Sequence, residues 1–258
     1  MIITTSYRVN PKIISTVNKL VKHYNLLYIP RKNYTLPNLF QRYNCPIIIV
    51  TSSRIIYKTE SGQIYFHPNL SQIRSKRIEN GESDNMIDIS GLEKDMSFLD
   101  CTMGLGTDSL IASQVVGDSG QVVALESSPI IHMVIKEGMN FYPFETRTLQ
   151  LAASRIKFQQ INYLDYLKIA DDNSFDVVYF DPMFDSSIKE TTPIEVIQDF
   201  ANHTSLDSET IAEAKRVAKK CVIMKNHYTS KLFNTLGFKQ HIRKTSQFHY
   251  GVLDLEEQ

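Results

Sequence analysis

Apolar and polar positions follow both helical and extended spacing within the first 66 residues of the chain. From Pro11 to Tyr24, apolar side chains recur every three or four residues, which predicts a helix with one buried face. Short runs rich in β-branched residues at 46–50 and 54–58 predict strands, and a turn that contains Gly62 leads to a third run at 64–66. The pattern therefore predicts a small α/β unit that includes a β-hairpin.

A polar stretch from Ser71 to Asn85 follows this unit. It includes the run Glu79-Asn80-Gly81-Glu82, in which turn-forming residues cluster. We interpret the stretch as a connector. The sequence therefore predicts two domains, a small N-terminal α/β domain with its basic connector (residues 1–85) and a second domain (residues 86–258).

The second domain alternates between extended and helical patterns. Strands are predicted at 97–100, 121–126, 156–161, 175–180 and 221–225, with helices at 109–116, 129–139 and 208–219. The run 175–180 is almost wholly apolar, as expected of a strand that is buried on both faces. This alternation predicts an α/β fold with a mostly parallel, doubly wound, Rossmann-like sheet.

The formal net charge of the 258-residue chain is zero, but its charges are unevenly distributed. Nine Lys/Arg and no Asp/Glu occur from Met1 to Thr59, and the same numbers recur from Ala214 to Tyr250. If the two basic regions share a surface, that surface suits the phosphate backbone of a nucleic acid. If they do not, the lysines serve only to solubilise separate surfaces. The sequence leaves both interpretations open.

Composition narrows the class of protein. No apolar run approaches the ~18 residues that a membrane-spanning helix needs, and the first eight residues lack the pattern of a signal peptide. The three cysteines, Cys45, Cys101 and Cys221, are widely separated and show no spacing typical of a metal site or a disulfide framework. We therefore expect a cytoplasmic protein that needs neither a membrane nor a metal.

The segment Asp100–Asp108 lies between the first strand and the first helix of the second domain, and it contains Gly104 and Gly106. Ligands bind at the carboxyl ends of the strands in sheets of this kind. Glycine lets the backbone turn tightly and approach a ligand, because it has no Cβ atom. Glu126 ends the second strand, where its carboxylate can accept hydrogen bonds from both hydroxyls of a ribose. These residues predict a site for a nucleoside-containing cofactor.

The same loop distinguishes between two cofactors. The dinucleotide-binding fingerprint has a third glycine at the position that Ser109 occupies in this chain. Asp100 and Asp108 would repel a pyrophosphate, but they suit the ammonium and sulfonium groups of S-adenosyl-L-methionine. The loop therefore favours S-adenosyl-L-methionine, and an NAD-dependent oxidoreductase is the alternative.

Asn162 and Tyr163 follow the third predicted strand. At that strand end, a polar side chain can bind the adenine amino group and an aromatic ring can lie against the base. Asn162 can equally well cap the next helix, which is a common use of asparagine. Both interpretations remain open.

The run Asp181-Pro182-Met183-Phe184 ends the fourth strand and predicts the acceptor site. The Asp181 carboxylate and the Pro182 carbonyl are hydrogen-bond acceptors for the N–H groups of an exocyclic amine, and they favour the pyramidal nitrogen that can attack a methyl group. Phe184 offers a ring on which a nucleobase can stack. The remaining catalysis is alignment of the reacting atoms. Asp181, Pro182 and Phe184 are therefore the predicted catalytic residues.

From about His67 to Val252, the chain resembles the bacterial methyltransferases that modify the N2 amine of one guanosine in small-subunit (16S) ribosomal RNA. The resemblance rests on Arg74–Arg77 with Gly81-Glu82, Asp100–Asp108, Leu125-Glu126, Asp181–Phe184, Lys215–Lys225 and Gln247–Tyr250. It implies methyl transfer from S-adenosyl-L-methionine to ribosomal RNA. It also implies a cofactor site lined by Thr107, Asp108, Glu126, Ser127, Asn162, Tyr163 and Asp181.

Three departures from that family concern the acceptor more than the cofactor. Thr107 stands where the family usually has an arginine, Asp185 stands where a proline is common, and Lys225-Asn226-His227 replaces Lys-Arg-Pro. Loops and appended domains select substrates, whereas the fold only hosts the chemistry. Two alternatives therefore stay open: a methyltransferase that acts on another amine, in RNA, protein or a small molecule, and a non-catalytic RNA-binding or ribosome assembly factor.

Overall fold

A computed structural model of the protein describes residues 1–32, 34–182 and 206–255. These residues form two compact units. The first comprises residues 1–67 and 133–143, and the second comprises residues 68–132, 144–182 and 206–255. Within the described ranges, no helix combines the length and the apolar character that crossing a bilayer requires.

The first unit contains a five-stranded sheet, two helices of its own and residues 133–141 of a helix that begins in the second unit. Its elements are β1 (Ile2–Thr5), α1 (Pro11–Tyr24), β2 (Leu27–Tyr28), α2 (Leu36–Tyr43), β3 (Ile47–Val50), β4 (Ile55–Lys58) and β5 (Gln63–Tyr65). The strand order is β2-β1-β3-β4-β5, in which the first three strands are parallel and β3, β4 and β5 pair antiparallel. The predicted helix and hairpin are confirmed, whereas β1, β2 and α2 were not predicted.

Helix α1 begins and ends where its sequence dictates. The side chain of Asn10 accepts a hydrogen bond from the amide of Ile13 (2.9 Å), and proline occupies the first helical position. The buried residues Ile13, Val17 and Leu20 form the apolar stripe that holds the helix on the sheet. Asn25 ends the helix with a φ of 50°, a left-handed conformation that asparagine tolerates.

The second unit contains the larger sheet. Its elements are α3 (Asn69–Glu79), α4 (Asn85–Ser90), β6 (Ser97–Asp100), α5 (Thr107–Val116), β7 (Gln121–Glu126), the start of α6 (Pro129–Phe141), α7 (Arg147–Arg155), β8 (Lys157–Gln160), α8 (Tyr163–Ile169), β9 (Phe175–Phe180), α9 (Ser208–Val217), β10 (Ala218–His227), α10 (Leu232–Thr235), β11 (Lys239–His241) and β12 (Phe248–Asp254).

The seven strands follow the order β11-β12-β10-β9-β6-β7-β8. The five strands from β10 to β8 are parallel, and β12 pairs antiparallel with β10 and β11. The chain moves from β6 outward to β7 and β8 and then returns to β9 and β10. The strand order therefore reverses between β6 and β9, and such a switch point opens a crevice at the carboxyl ends of the strands. The predicted mostly parallel, doubly wound sheet is confirmed.

The predicted polar connector at 71–85 is largely helical, because it contains α3 and the start of α4. The buried side chains of α3 are Ser71 and Ser75, which are too small and polar to produce a helical stripe of apolar residues. Residues 68–85 group with the second unit, where α3 packs against α5. The division into domains at residue 85 stays a prediction.

Candidate active site

The loop between β6 and α5 turns tightly at the carboxyl edge of the sheet. Gly104 and Gly106 have φ values of 50° and 74°, in the left-handed region that a side chain disfavours. The amide of Gly106 donates to the carbonyl of Met103 (2.8 Å), and α5 begins at the next residue, Thr107. The predicted helix start at Ser109 is therefore two residues late.

Asp100 ends β6 and is almost fully buried. Its carboxylate accepts hydrogen bonds from the amide of Thr102 (3.1 Å) and from the hydroxyl of Ser109. Burial raises the pKa of Asp100 to about 7, although these two hydrogen bonds oppose the shift and the nearby Asp108 adds to it. Ser109, which replaces the third glycine of a dinucleotide loop, thus orients this carboxylate.

Glu126 lies at the end of the neighbouring strand β7. Its carboxylate accepts a hydrogen bond from the amide of Ser128 (2.9 Å) and is also bound by the amides of Gly104 and Ser127. Burial raises the pKa of Glu126, while these amide donors oppose the shift. Backbone amides therefore fix the carboxylate at the same sheet edge as Asp100.

Asp108 is the centre of an ion-pair network. The guanidinium of Arg74 binds one oxygen of Asp108 and forms a fork with Asp84, at 2.7 and 2.8 Å. The Tyr179 hydroxyl donates to the other oxygen of Asp108 (2.9 Å), and Lys225 Nζ lies 3.9 Å from it. Burial favours a higher pKa for Asp108, but Lys225 and Arg74 outweigh it and lower the pKa. Asp108 therefore stays ionised, with partners on both oxygens.

Asp181 follows β9 and contacts the same lysine. Lys225 Nζ lies 2.6 Å from Oδ2 of Asp181, and the Asp181 amide donates to the hydroxyl of Thr102 (2.6 Å). Burial raises the pKa of Asp181, Lys225 opposes this shift, and Asp108 adds to it. Pro182 follows directly, and Phe184 lies outside the described residues. The predicted acceptor carboxylate is therefore an ion-paired group at the switch point.

Asn162 and Tyr163 both have structural roles. The side chain of Asn162 accepts a hydrogen bond from the amide of Leu164 (2.8 Å), so it caps α8. Tyr163 is buried, and its ring meets that of Phe180 edge-on, with centroids 5.7 Å apart. These contacts support the capping interpretation of Asn162. The cofactor contacts of both residues stay predictions, as do those of Thr107 and Ser127.

Three residues at this edge were not among the predicted site residues. Lys225 ends the fifth predicted strand, where the sequence is equally compatible with a substrate contact and with a solvated loop, and the structure places it between two carboxylates. Tyr250 lies opposite Lys225 in the β10–β12 register, and burial raises its pKa. Tyr179 was predicted only as a strand residue. The sequence signal that could have identified these residues is their position along the strands. Each of them lies near the carboxyl end of β9 or β10, or pairs with a residue there.

The chain is similar to one family model and to known proteins over most of its length. The sequence model of the SAM_MT family, described as "Putative SAM-dependent methyltransferase", matches residues 50–250. The chain is 37% identical over 252 residues to the uncharacterized protein YpiP of Bacillus subtilis (strain 168). The aligned region covers 97% of this chain and 98% of that protein. It is 25% identical over 219 residues to the ribosomal RNA small subunit methyltransferase J of Buchnera aphidicola subsp. Schizaphis graminum (strain Sg), which covers 77% of this chain and 85% of the relative.

The fold is similar to a solved structure over nearly its full length. The SAM-dependent methyltransferase NGO1261 from Neisseria gonorrhoeae matches with a TM-score of 0.62 and 14% identity, covering 98% of this chain and 96% of that one. At this identity the likeness shows the fold alone. It confirms the Rossmann-like methyltransferase fold that the sequence predicted.

Proposed function

Because this chain belongs to the family of SAM-dependent methyltransferases whose sequence model it matches, we propose that it methylates the exocyclic N2 amine of a guanine in small-subunit ribosomal RNA. Its cofactor is S-adenosyl-L-methionine. The observation that carries the proposal is the Asp181–Lys225 ion pair, which lies at the same sheet edge as the buried Asp100.

The residues at this edge fit the cofactor. Glu126 presents a carboxylate that backbone amides hold in place, as hydrogen bonding to the two hydroxyls of a ribose requires. Asp100 offers a negative group for the ammonium of the methionine part, since both of its oxygens are oriented by Thr102 and Ser109. Adding a Cβ atom at Gly104 would meet no atom nearer than 3.8 Å, so its positive φ, and not lack of space, explains this glycine.

Bound S-adenosyl-L-methionine supplies a methyl group on a positively charged sulfur. Asp181 accepts a hydrogen bond from the exocyclic amine, which favours the pyramidal nitrogen that attacks. Transfer would break the S–CH3 bond as the N–CH3 bond forms, which would leave a neutral thioether and a positively charged nitrogen. The Asp181 carboxylate would take the surplus proton from that nitrogen. Lys225 holds Asp181 in position and favours its ionised form, because the ammonium lies 2.6 Å from Oδ2.

An RNA acceptor is supported by two observations. The ribosomal RNA small subunit methyltransferase J of Buchnera aphidicola is similar over most of both chains. The segment from Ala214 to Tyr250, which includes Lys225, has nine basic and no acidic residues, and positive charge favours contact with phosphates. The Asp181-Pro182-Met183-Phe184 motif, with its family resemblance, supports a guanine N2 target.

The proposal is tested by transfer of tritiated methyl to small ribosomal subunits that lack the modification, after binding of S-adenosylhomocysteine has been measured by calorimetry. We expect label in the small-subunit RNA at one guanine N2. Asp181→Ala should lower the rate by at least ~100-fold, because a preorganised group that acts in the transition state is lost. Its affinity for S-adenosylhomocysteine should stay within about tenfold.

Asp165→Ala is the matched control, because Asp165 is an exposed acid on α8. It should methylate as fast as the unaltered protein. Full activity of Asp181→Ala would remove Asp181 from the mechanism. Cofactor binding without label in RNA would direct the search to another amine, and label at another RNA position would correct the target.

A further inference from the structure

The first unit has a switch point of its own. From β1 the chain passes through α1 to β2 on one side, and it then passes through α2 to β3 on the other side of β1. All three strands are parallel, so their carboxyl ends lie at one edge. Parallel sheets bind ligands where the strand order reverses in this way. The proposed methyltransferase chemistry makes no use of this edge.

A cavity of about 440 Å³ lies at this second switch point. It is lined by residues 6–10, which follow β1, and by Thr51 and Ser52, which follow β3. The amide of Ser6 donates to the carbonyl of Val50 (2.9 Å), which continues the pairing of the two strands up to the cavity. The volume falls within the range of small-molecule sites, roughly 300–1,000 Å³.

Arg31 is an unusual residue at the same edge. It follows β2 three residues after Tyr28, it is 8% exposed, and its guanidinium lies 4.6 Å from the ring centroid of Tyr7, a cavity residue. Within the described part of the chain, neither Nε nor Nη1 of Arg31 has a hydrogen-bond partner. Burying the N–H groups of a cation without hydrogen-bond partners is costly, and an anion that binds them removes this cost.

The chemistry around Arg31 suits an anion such as a phosphate. The sequence from Met1 to Thr59 holds no acidic residue, so the lining of the cavity carries cationic and hydroxyl groups and no carboxylate. Arg8 lies in this lining, and the planar fork of arginine matches the oxygens of a phosphate. Tyr7 is 62% exposed, which leaves part of its ring free to stack on a base.

We propose that this cavity is a phosphate-binding subsite that holds one nucleotide of the RNA substrate. Arg31 and Arg8 bind the phosphate, and Tyr7 packs against the base. Turning Arg31 toward the ligand breaks no hydrogen bond at Nε or Nη1, because neither has a partner to lose. The assignment of the phosphate to RNA rests on the proposed function, whereas a free mononucleotide offers the same chemistry.

The first test uses the full-length protein and measures thermal unfolding with inorganic phosphate or uridine monophosphate at millimolar concentration. Both ligands should raise the Tm of the unaltered protein, because binding only the folded state stabilises it. They should leave the Tm of Arg31→Met unchanged. Without ligand, Arg31→Met should be at least as stable as the unaltered protein, since methionine fills the space without unpaired N–H groups. A loss of stability in that variant would assign Arg31 a structural role and overturn the proposal.

The second test measures the affinity for a short unstructured oligoribonucleotide by fluorescence anisotropy over a range of salt concentrations. Arg31→Met should weaken binding by about tenfold, as expected for the loss of a charge-assisted hydrogen bond. It should also reduce the salt slope by about 0.7, the value for one phosphate contact on a single strand.

Lys22→Met is the matched control, because it removes the same charge from an exposed position near the far end of α1. Lys22 lies twelve positions after Asn10 at the cavity, a distance of about 18 Å along the helix. This variant should weaken RNA binding by less than about twofold. Equal effects of the two variants, with no selective loss of phosphate binding, would overturn the subsite.

The source of the phosphate and the proposed function can be separated on the same samples. If phosphate stabilises only proteins that retain Arg31 while RNA affinity is unchanged by Arg31→Met, the ligand is a free nucleotide and the RNA assignment is wrong. If Arg31→Met weakens RNA binding but no RNA is methylated, the subsite stands and the proposed function fails. Cofactor affinity should be the same in all variants, which confirms that the methyltransferase unit is folded.

Discussion

Two sheet edges in this protein share a topology and differ in charge. At the edge of the seven-stranded sheet, the partly buried carboxylates Asp108 and Asp181 have cationic partners, Arg74 and Lys225. At the edge of the five-stranded sheet, Arg31 is buried but has no hydrogen-bond partner at two of its nitrogens among the described residues. In each sheet, parallel strands end where the strand order reverses, so both edges are suited to a ligand.

The difference teaches which part of the molecule selects the ligand. Topology creates the crevice, and the few residues that follow each strand decide its charge. Carboxylates beside the first strand of the larger sheet suit a cationic cofactor, whereas arginines and hydroxyls suit an anion. Function therefore depends on the residues grafted on the fold.

The largest expected effect distinguishes Arg74, which is mostly buried, from Arg31. Arg74→Met should lower the free energy of unfolding by about 3–5 kcal/mol, because it leaves two carboxylates, Asp84 and Asp108, without their shared partner. Arg31→Met should leave it nearly unchanged, because Nε and Nη1 of Arg31 have no hydrogen-bond partner among the described residues. Urea denaturation followed by far-UV circular dichroism measures both changes.

Arg77→Met is the control for this pair of variants. Arg77 lies on α3 like Arg74, but its ion pair with Glu82 is half exposed, and exposed pairs contribute about 0–1 kcal/mol. Equal destabilisation by Arg31→Met and Arg74→Met would show that both arginines are structural. The contrast between the two edges would then be wrong.

The sequence predicted most of the larger sheet because its signals are local. Phe175–Phe180 is predicted to the residue, since an apolar run marks a strand that is buried on both faces. Helix α1 is predicted equally well, because its apolar stripe and its terminal Asn10 and Pro11 agree. Helix α3 was interpreted as a connector, since it buries two serines where a helical stripe needs larger apolar residues.

Contacts between distant residues could not be predicted in the same way. Lys225 binds Asp181, which is 44 positions earlier in the chain. The sequence around each residue contains no pattern that predicts this ion pair. The burial of Arg31 could not be predicted from the sequence, because it depends on where β1 and β2 end in the folded chain. The candidate residues at strand ends were predictable from topology, whereas their ion pairs required the folded chain.

The next prediction concerns Glu126 in the larger sheet. Glu126→Gln should weaken the binding of S-adenosylhomocysteine by about 10- to 100-fold, as expected when a hydrogen bond to a charged group loses its charge. Calorimetric titration measures the change, and Glu93→Gln, an exposed site on the same unit, should bind normally. Unchanged affinity in Glu126→Gln would exclude the carboxylate from the ribose site.

The smallest effect concerns the proton on Asp100. Its pKa is raised to about 7 by burial, so much of the free protein carries a protonated Asp100 at pH 6.5. A cofactor ammonium beside this carboxylate favours its ionised form and lowers that pKa. Binding at pH 6.5 should therefore release a measurable fraction of a proton, and binding at pH 8.5 should release much less.

Calorimetry in buffers of different ionisation enthalpy measures this proton release directly. The affinity for S-adenosylhomocysteine should correspondingly rise with pH up to about 7 and then level off, because the proton no longer has to leave. In Asp100→Asn, both the proton release and the rise in affinity should disappear. If the release persists in that variant, another group at the sheet edge titrates, and the raised pKa of Asp181 makes it the first to replace by asparagine.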